Sequence, residues 1–130
     1  MRRFLNNPKA VLLGTSSFWE GVDIAGEALE VLLLARLPFN VPSDPVFAAR
    51  SELYETPFYG YAVPQATLRF RQGFGRLIRS KTDRGVVVVL DRRIISKGYG
   101  KSFVGSLPDL PVKTCKLGSI SDEIRDWIGR

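Results

Sequence analysis

The chain has 130 residues, 45% of them hydrophobic and 25% charged, which are the proportions of one folded domain and exclude wholesale disorder. Lys and Arg number 19 against 13 Asp and Glu, a net charge of +6. A balance of this size favours a polyanionic partner such as nucleic acid or nucleotide phosphate, with a solvated positive face as the plainer alternative. There is no His, so Ser-His-Asp triads, Cys-His pairs and His-ligated zinc cannot be built within the chain. The single Cys115 excludes a disulfide framework and a four-thiolate iron–sulfur site, and reads as a small core residue. Low cysteine usage suits a reducing compartment. No apolar run approaches the ~20 residues of a membrane span. The basic start Met1-Arg2-Arg3-Phe4-Leu5 gives way to Asn6-Asn7-Pro8-Lys9 before a signal-peptide core forms, so a cytoplasmic protein without a membrane partner is expected.

In chain order, the first element is the apolar run Ala10-Val11-Leu12-Leu13, followed by a loop over residues 14–26. A second run, Val31-Leu32-Leu33-Leu34-Ala35, precedes a helix predicted over 44–54, with Ser43 as N-cap and Pro45 in the first turn. A longer helix is predicted over 64–80. The third run, Val86-Val87-Val88-Val89-Leu90, is β-branched and bounded by Gly85 and Asp91. A last helix over 121–128, capped by Ser121, closes the chain. None of the three runs alternates apolar with polar residues, so each reads as a strand buried on both faces, the habit of a parallel sheet covered by helices. The expected fold class is therefore α/β, with a partly parallel sheet flanked by helices. Three strands are fewer than the usual 4 to 6 or so, which points to an incomplete sheet. No repeat, linker or low-complexity stretch interrupts the pattern.

Two segments carry chemistry. On a wheel of about 100° per residue with Gln72 at zero, Arg76 falls at about 40°, Arg79 at about −20° and Arg69 at about 60°. Phe70, Phe74 and Leu77 fall on the opposite side, so an apolar face should pack on the sheet while an amide and three guanidinium groups look elsewhere. Gly73 and Gly75 each cost about 1 kcal/mol relative to Ala inside this helix, which suggests close approach of a backbone or a ligand. Stacked Arg residues repel one another unless an anion lies between them; the plainer reading is a solvated basic face. The second segment, residues 14–26, follows a predicted strand directly, where ligands bind in open α/β sheets. Thr15, Ser16 and Ser17 offer hydroxyls to phosphate, and Glu20 and Asp23 offer partners for Arg. Phe18 and Trp19 read as packing or as stacking platforms, as do Phe58, Tyr59 and Tyr61 before the long helix. Gly100-Lys101-Ser102 imitates the end of a phosphate-binding P-loop, but Ile95 stands where that motif needs its first Gly, and no GxGxxG occurs.

Together the two segments resemble helicase motifs. Ser17-Phe18-Trp19-Glu20-Gly21-Val22-Asp23 is similar to motif V of the XPD/DinG-type helicases of superfamily two, and Gln72-Gly73-Phe74-Gly75-Arg76-Leu77-Ile78-Arg79-Ser80 to their motif VI, QxxGRxxR. Leu37-Pro38-Phe39 with Pro42 and Asp44-Pro45, and Asp91-Arg92-Arg93 after the third run, match the DinG branch, so the likeness extends from about residue 10 to about 110. The resemblance implies a RecA-like fold, with residues 1–130 forming the later part of the second motor domain, starting just before motif V. It implies ATP hydrolysis with Mg²⁺ in a cleft whose P-loop and metal-binding acid come from a first RecA-like domain not present here. Arg79 would be the arginine finger, Arg76 a second γ-phosphate contact or an organiser of the cleft, and Gln72 would orient the nucleotide or the attacking water. Glu20, Gly21 and Asp23 would belong to the nucleotide side of the cleft, the two acids holding the Arg groups. Thr15, Ser16 and Ser17 would touch the backbone of single-stranded DNA.

The resemblance also implies an enzyme only as part of a larger protein, acting in DNA repair or replication. The chain has no P-loop, no acidic box of the first domain and no iron–sulfur cysteines, so alone it is expected to be inactive. Two other readings stand beside it: a stand-alone nucleic-acid-binding module, and a truncated remnant without catalysis.

Overall fold

The computed structural model describes residues 2–15, 29–79 and 82–129. After a single N-terminal helical turn, α1 (Arg2–Leu5), the central feature is a parallel pair of strands, β1 (Val31–Leu34) and β2 (Val86–Val89). Val31 stands beside Val86 and Leu34 beside Val89. The crossover between them holds α2 (Pro45–Ser51), a π-helical turn (Phe58–Ala62) and the long α3 (Val63–Leu77). Two short helices follow β2, α4 (Arg93–Ser96) and α5 (Gly100–Gly105), and α6 (Ile120–Ile128) comes last. The architecture is α/β, a small parallel sheet flanked by helices, as a partial RecA-like domain requires.

Side chains alternate across the strands, so Leu32, Leu34, Val87 and Val89 share one face. That face meets α3, where Ala66 and Phe70 are buried, and α5, which contributes Phe103. Leu37, just past β1, completes this core. The Phe70 and Phe103 rings meet edge to face at 5.5 Å between centroids. Full burial of such a ring stabilises by roughly 1.5–3 kcal/mol, so this one cluster fixes α3 and α5 to the sheet. The opposite face is thinly covered, and Leu33 on it is 55% exposed.

The two later apolar runs form strands as expected, but the first does not. Residues 10–13 are irregular, with Val11 and Leu13 81% and 87% exposed. An apolar run supplies β-propensity, yet a strand needs a neighbour for its backbone groups, and among the described residues none pairs with it. The α2 cap is Asp44 and not Ser43: Asp44 is extended at φ −64°, ψ 121°, and its Oδ1 accepts the Phe47 N–H at 2.8 Å. Pro45 then opens the helix, where its missing N–H costs nothing, and the helix closes at Ser51, short of residue 54. The last helix begins at Ile120, with Ser119 rather than Ser121 in the cap position. Cys115 is exposed, against its reading as a core residue. Gly100 is buried where α5 starts, and a Cβ there would overlap the Ile94 carbonyl. Packing accounts for that glycine, and phosphate binding is not needed to explain it.

Candidate functional site

Helix α3 is the element that places the Gln-Arg set. Its inner face carries Val63, Ala66, Phe70, Gly73 and Leu77, all buried, and this leaves Gln72 exposed and Arg76 half-buried on the outer side. The helix stops at Leu77, three residues before the predicted end. Ile78 is extended at φ −114°, ψ 103°, and Arg79 lies beyond the helix. The Arg79 N–H donates to Asp83 Oδ2 at 2.8 Å, which turns the chain toward β2. Its Nε reaches back to the Arg76 carbonyl at 3.4 Å, so Arg79 and Arg76 remain neighbours although the wheel no longer relates them. Arg76 occupies the last turn, where the partial negative charge of the helix terminus favours a cation.

This helix end meets the start of the sheet. A Cβ on Gly85 would lie 2.7 Å from Leu77 Cδ1 and 3.0 Å from the Glu30 carbonyl oxygen, so only glycine lets α3 close down on the entrance to both strands. Arg76 and Arg79 therefore stand at the N-terminal ends of β1 and β2. Leu29 and Glu30, through which the chain enters β1, stand at the same end. Of the residues predicted in the 14–26 loop, Thr15 is described and exposed. Ser16, Ser17, Glu20, Gly21 and Asp23 lie outside the described residues.

At the opposite end of the sheet is a clasp that sequence reasoning noted only as part of a likeness. The Asp91 carboxylate follows β2 and accepts the Leu37 N–H, 54 residues away, at 2.9 Å. It also receives Arg93 Nε at 2.9 and 3.1 Å and Nη2 at 2.6 Å. The Arg93 guanidinium lies 5.4 Å from the centre of the Phe39 ring. Arg93's hydrogen bonds, then the Leu37 and Arg93 backbone N–H groups, hold the Asp91 carboxyl well below the usual carboxylate range, against burial, which pushes it up. The signal in sequence was an acid next to a strand's end with Arg two residues on; its third partner is non-local and leaves no local trace.

The aromatic group before α3 divides. Tyr61 is buried and stacks between Phe47 and Tyr54, at 5.2 and 5.1 Å. Phe58 packs on Phe39 and Tyr99, while Tyr59 is 65% exposed. Among the described residues no cluster of three or more His, Cys, Asp or Glu could hold a metal ion, and no helix is long and apolar enough to cross a membrane.

A small parallel α/β core, with Arg79 folded back onto the Arg76 carbonyl at the end of its longest helix, is consistent with a partial RecA-like domain. Residues 1–110 match the helicase C-terminal domain family, and the chain belongs to that family. It is 46% identical over 116 residues to the 3′-5′ exonuclease DinG of Bacillus subtilis (strain 168), covering 86% of this chain and 12% of that protein. It is 42% identical over 115 residues to the ATP-dependent DNA helicase YoaA of Escherichia coli (strain K12), covering 85% and 18%. To the ATP-dependent DNA helicase DinG of Photobacterium profundum it is 46% identical over 103 residues, covering 76% and 15%. The chain thus spans less than a fifth of the length of these relatives.

Proposed function

We propose that this chain is the later part of the second motor domain of an ATP-dependent DNA helicase, and that it supplies the cations that complete a nucleotide cleft. The observation that carries the reading is the juxtaposition of Arg76 and Arg79 at one helix end, beside Gln72, in a domain of the helicase family. Phosphoryl transfer spreads negative charge over the non-bridging oxygens, and a guanidinium placed there contributes about 10³–10⁵ in rate. Arg79, outside the helix and exposed, is the arginine finger. Arg76, half-buried in the last turn of α3, steadies the cleft or touches the γ-phosphate beside it. Gln72, just over one turn earlier, orients the nucleotide or the attacking water. Glu20, Gly21 and Asp23 join this side of the cleft, and Thr15, Ser16 and Ser17 contact a single DNA strand.

The P-loop and the acid that binds Mg²⁺ belong to a partner RecA-like domain; Mg²⁺ bound with ATP supplies charge neutralisation on the phosphate oxygens. What this chain's residues do is hold two positive charges where the closing of the two domains brings them to the phosphates. Opening after hydrolysis withdraws them, which couples turnover to movement along a strand.

The test is DNA-stimulated ATP hydrolysis by the full protein that carries this chain. Arg79→Ala should lower kcat about 10³-fold or more with little change in fold, measured by circular dichroism. The separate 130-residue chain should show no turnover. Robust hydrolysis by that chain, surviving Arg79→Ala, would defeat both the finger assignment and the need for a partner domain.

A further inference from the structure

The flank of α3 next to Gln72 lines a solvent-open groove of about 560 Å³ that the nucleotide reading does not use. Pro64, Thr67, Leu68 and Arg71 recur at three- and four-residue spacing and form one wall. Gly98, Tyr99 and Ser102, at the start of α5, form the other, and Tyr59 stands at the rim. The floor is rigid. Tyr99 is held edge-on by Phe39, Phe58 and Phe103 at 5.6, 5.4 and 6.4 Å, and Tyr59 rests edge-on against Phe58 at 5.1 Å. Tyr59 nevertheless keeps 65% of its surface exposed, carried on a π-helical turn in which the Val63 N–H donates to the Phe58 carbonyl. Turns of this kind recur at functional sites.

The charges agree with the shape. Among the described residues no carboxylate lines the groove, while Arg71 sits in its wall and the exposed Lys97 and Lys101 stand next in sequence to its lining residues Gly98 and Ser102. Among the described residues none of these three cations makes an ion pair, whereas Lys113 and Arg125, elsewhere on the surface, pair with Glu123 and Asp122. A cationic trough with a fixed, exposed aromatic ring suits a polymer that alternates phosphates with flat rings. An acidic peptide would use the cations but leave the ring without a stacking partner. We infer that this groove holds a single polynucleotide strand, with one unstacked base on Tyr59 and phosphates on Arg71, Lys97 and Lys101. This rests on the helicase reading and adds a second strand contact, apart from Thr15, Ser16 and Ser17. It also places both ligands on one helix, since α3 carries Arg76 and Arg71 on well-separated sides, about 140° apart on the wheel.

The experiment is fluorescence anisotropy of a labelled oligodeoxythymidylate with the full protein, titrated at several salt concentrations. Tyr59→Ala should weaken binding about 5-fold to 150-fold, the usual range for one base–aromatic stack. Tyr59→Phe should bind as the wild type does; equal loss in both would assign the effect to the hydroxyl and overturn the stacking contact. The Arg71→Ala, Lys101→Ala double variant should reduce the slope of log affinity against log salt by about 1.4, two phosphates at about 0.7 each. Arg125→Ala, on α6, should leave affinity and slope unchanged. Wild-type binding that no groove variant alters would overturn the groove, as it would if a protein segment were the true occupant, while leaving the helicase reading standing. No binding by the wild type would overturn the helicase reading and the groove with it.

Discussion

Asp91 joins three pieces of chain with one carboxylate: the end of β2, the Leu37 amide after β1, and the Arg93 guanidinium that covers Phe39. Because its side chain is only 8% exposed, the hydrogen bonds are screened little, and a charged bond in such a place contributes about 1.5–3 kcal/mol. Asp91→Asn keeps an acceptor for Leu37 but removes the charge facing Arg93, and should lower stability by about 2 kcal/mol at pH 7. The sign of the pH dependence follows from the direction of the shift. The folded carboxyl titrates below its unfolded value, so between the two values the folded state binds fewer protons than the unfolded one. Its contribution is complete above the unfolded value of about 4 and is lost as pH drops from there through the folded one. Chemical denaturation of the full protein at pH 7 and near pH 3 should therefore show the wild type losing part of its advantage over Asp91→Asn at the lower pH. An advantage that stayed constant would mean that the clasp acts by shape alone.

Helix α3 shows how much of an element is legible in a sequence. Its apolar stripe of Ala66, Phe70, Gly73 and Leu77 is local, and the burial follows that period. The end is not legible in the same way, because Leu77 and Ile78 continue the apolar pattern while the turn is made by Asp83 accepting the Arg79 N–H. Strands β1 and β2 were legible because four consecutive branched or aliphatic residues favour a strand with helices packed on it; residues 10–13 have the same apolar character and no partner among the described residues, since pairing is a non-local property. Gln72, Arg76 and Arg79 were singled out by the helical wheel and by the resemblance to motif VI, yet the position of the two arginines at the N-terminal ends of the strands depends on Gly85 meeting Leu77. The second helix glycine offers a direct test. A Cβ on Gly75 would meet nothing within 4 Å, so Gly75→Ala should stabilise the fold by about 0.5–1 kcal/mol. If the glycine is kept for close approach of the partner domain or the nucleotide, the same variant should turn over ATP more slowly while melting at a higher temperature. A higher Tm with unchanged kcat would remove that reason for the glycine.

Part of the exposed surface is apolar: Val11, Leu13 and Leu33 sit on or before a sheet with thin cover on one face. Among the described residues the sheet has two strands, so both edges present backbone groups that a further strand would pair. A pair of four-residue strands gains little on its own, and here the crossover helices supply most of the packing. A partial RecA-like sheet of this kind is stabilised by whatever continues it, and under the proposed function Arg76 and Arg79 take their purpose from the same source. Both needs are met if the remainder of a helicase covers this side. Hydrogen exchange separates the cases: amides of residues 11–15 and of Leu33 should exchange slowly in the full protein and much faster in the separate chain. The separate chain should also self-associate as its concentration rises, measured by sedimentation velocity. A separate chain that stays monomeric, with exchange at these amides matching the full protein, would mean that the domain is complete as it stands, and that the Arg76–Arg79 pair must find its phosphate without a second motor domain beside it.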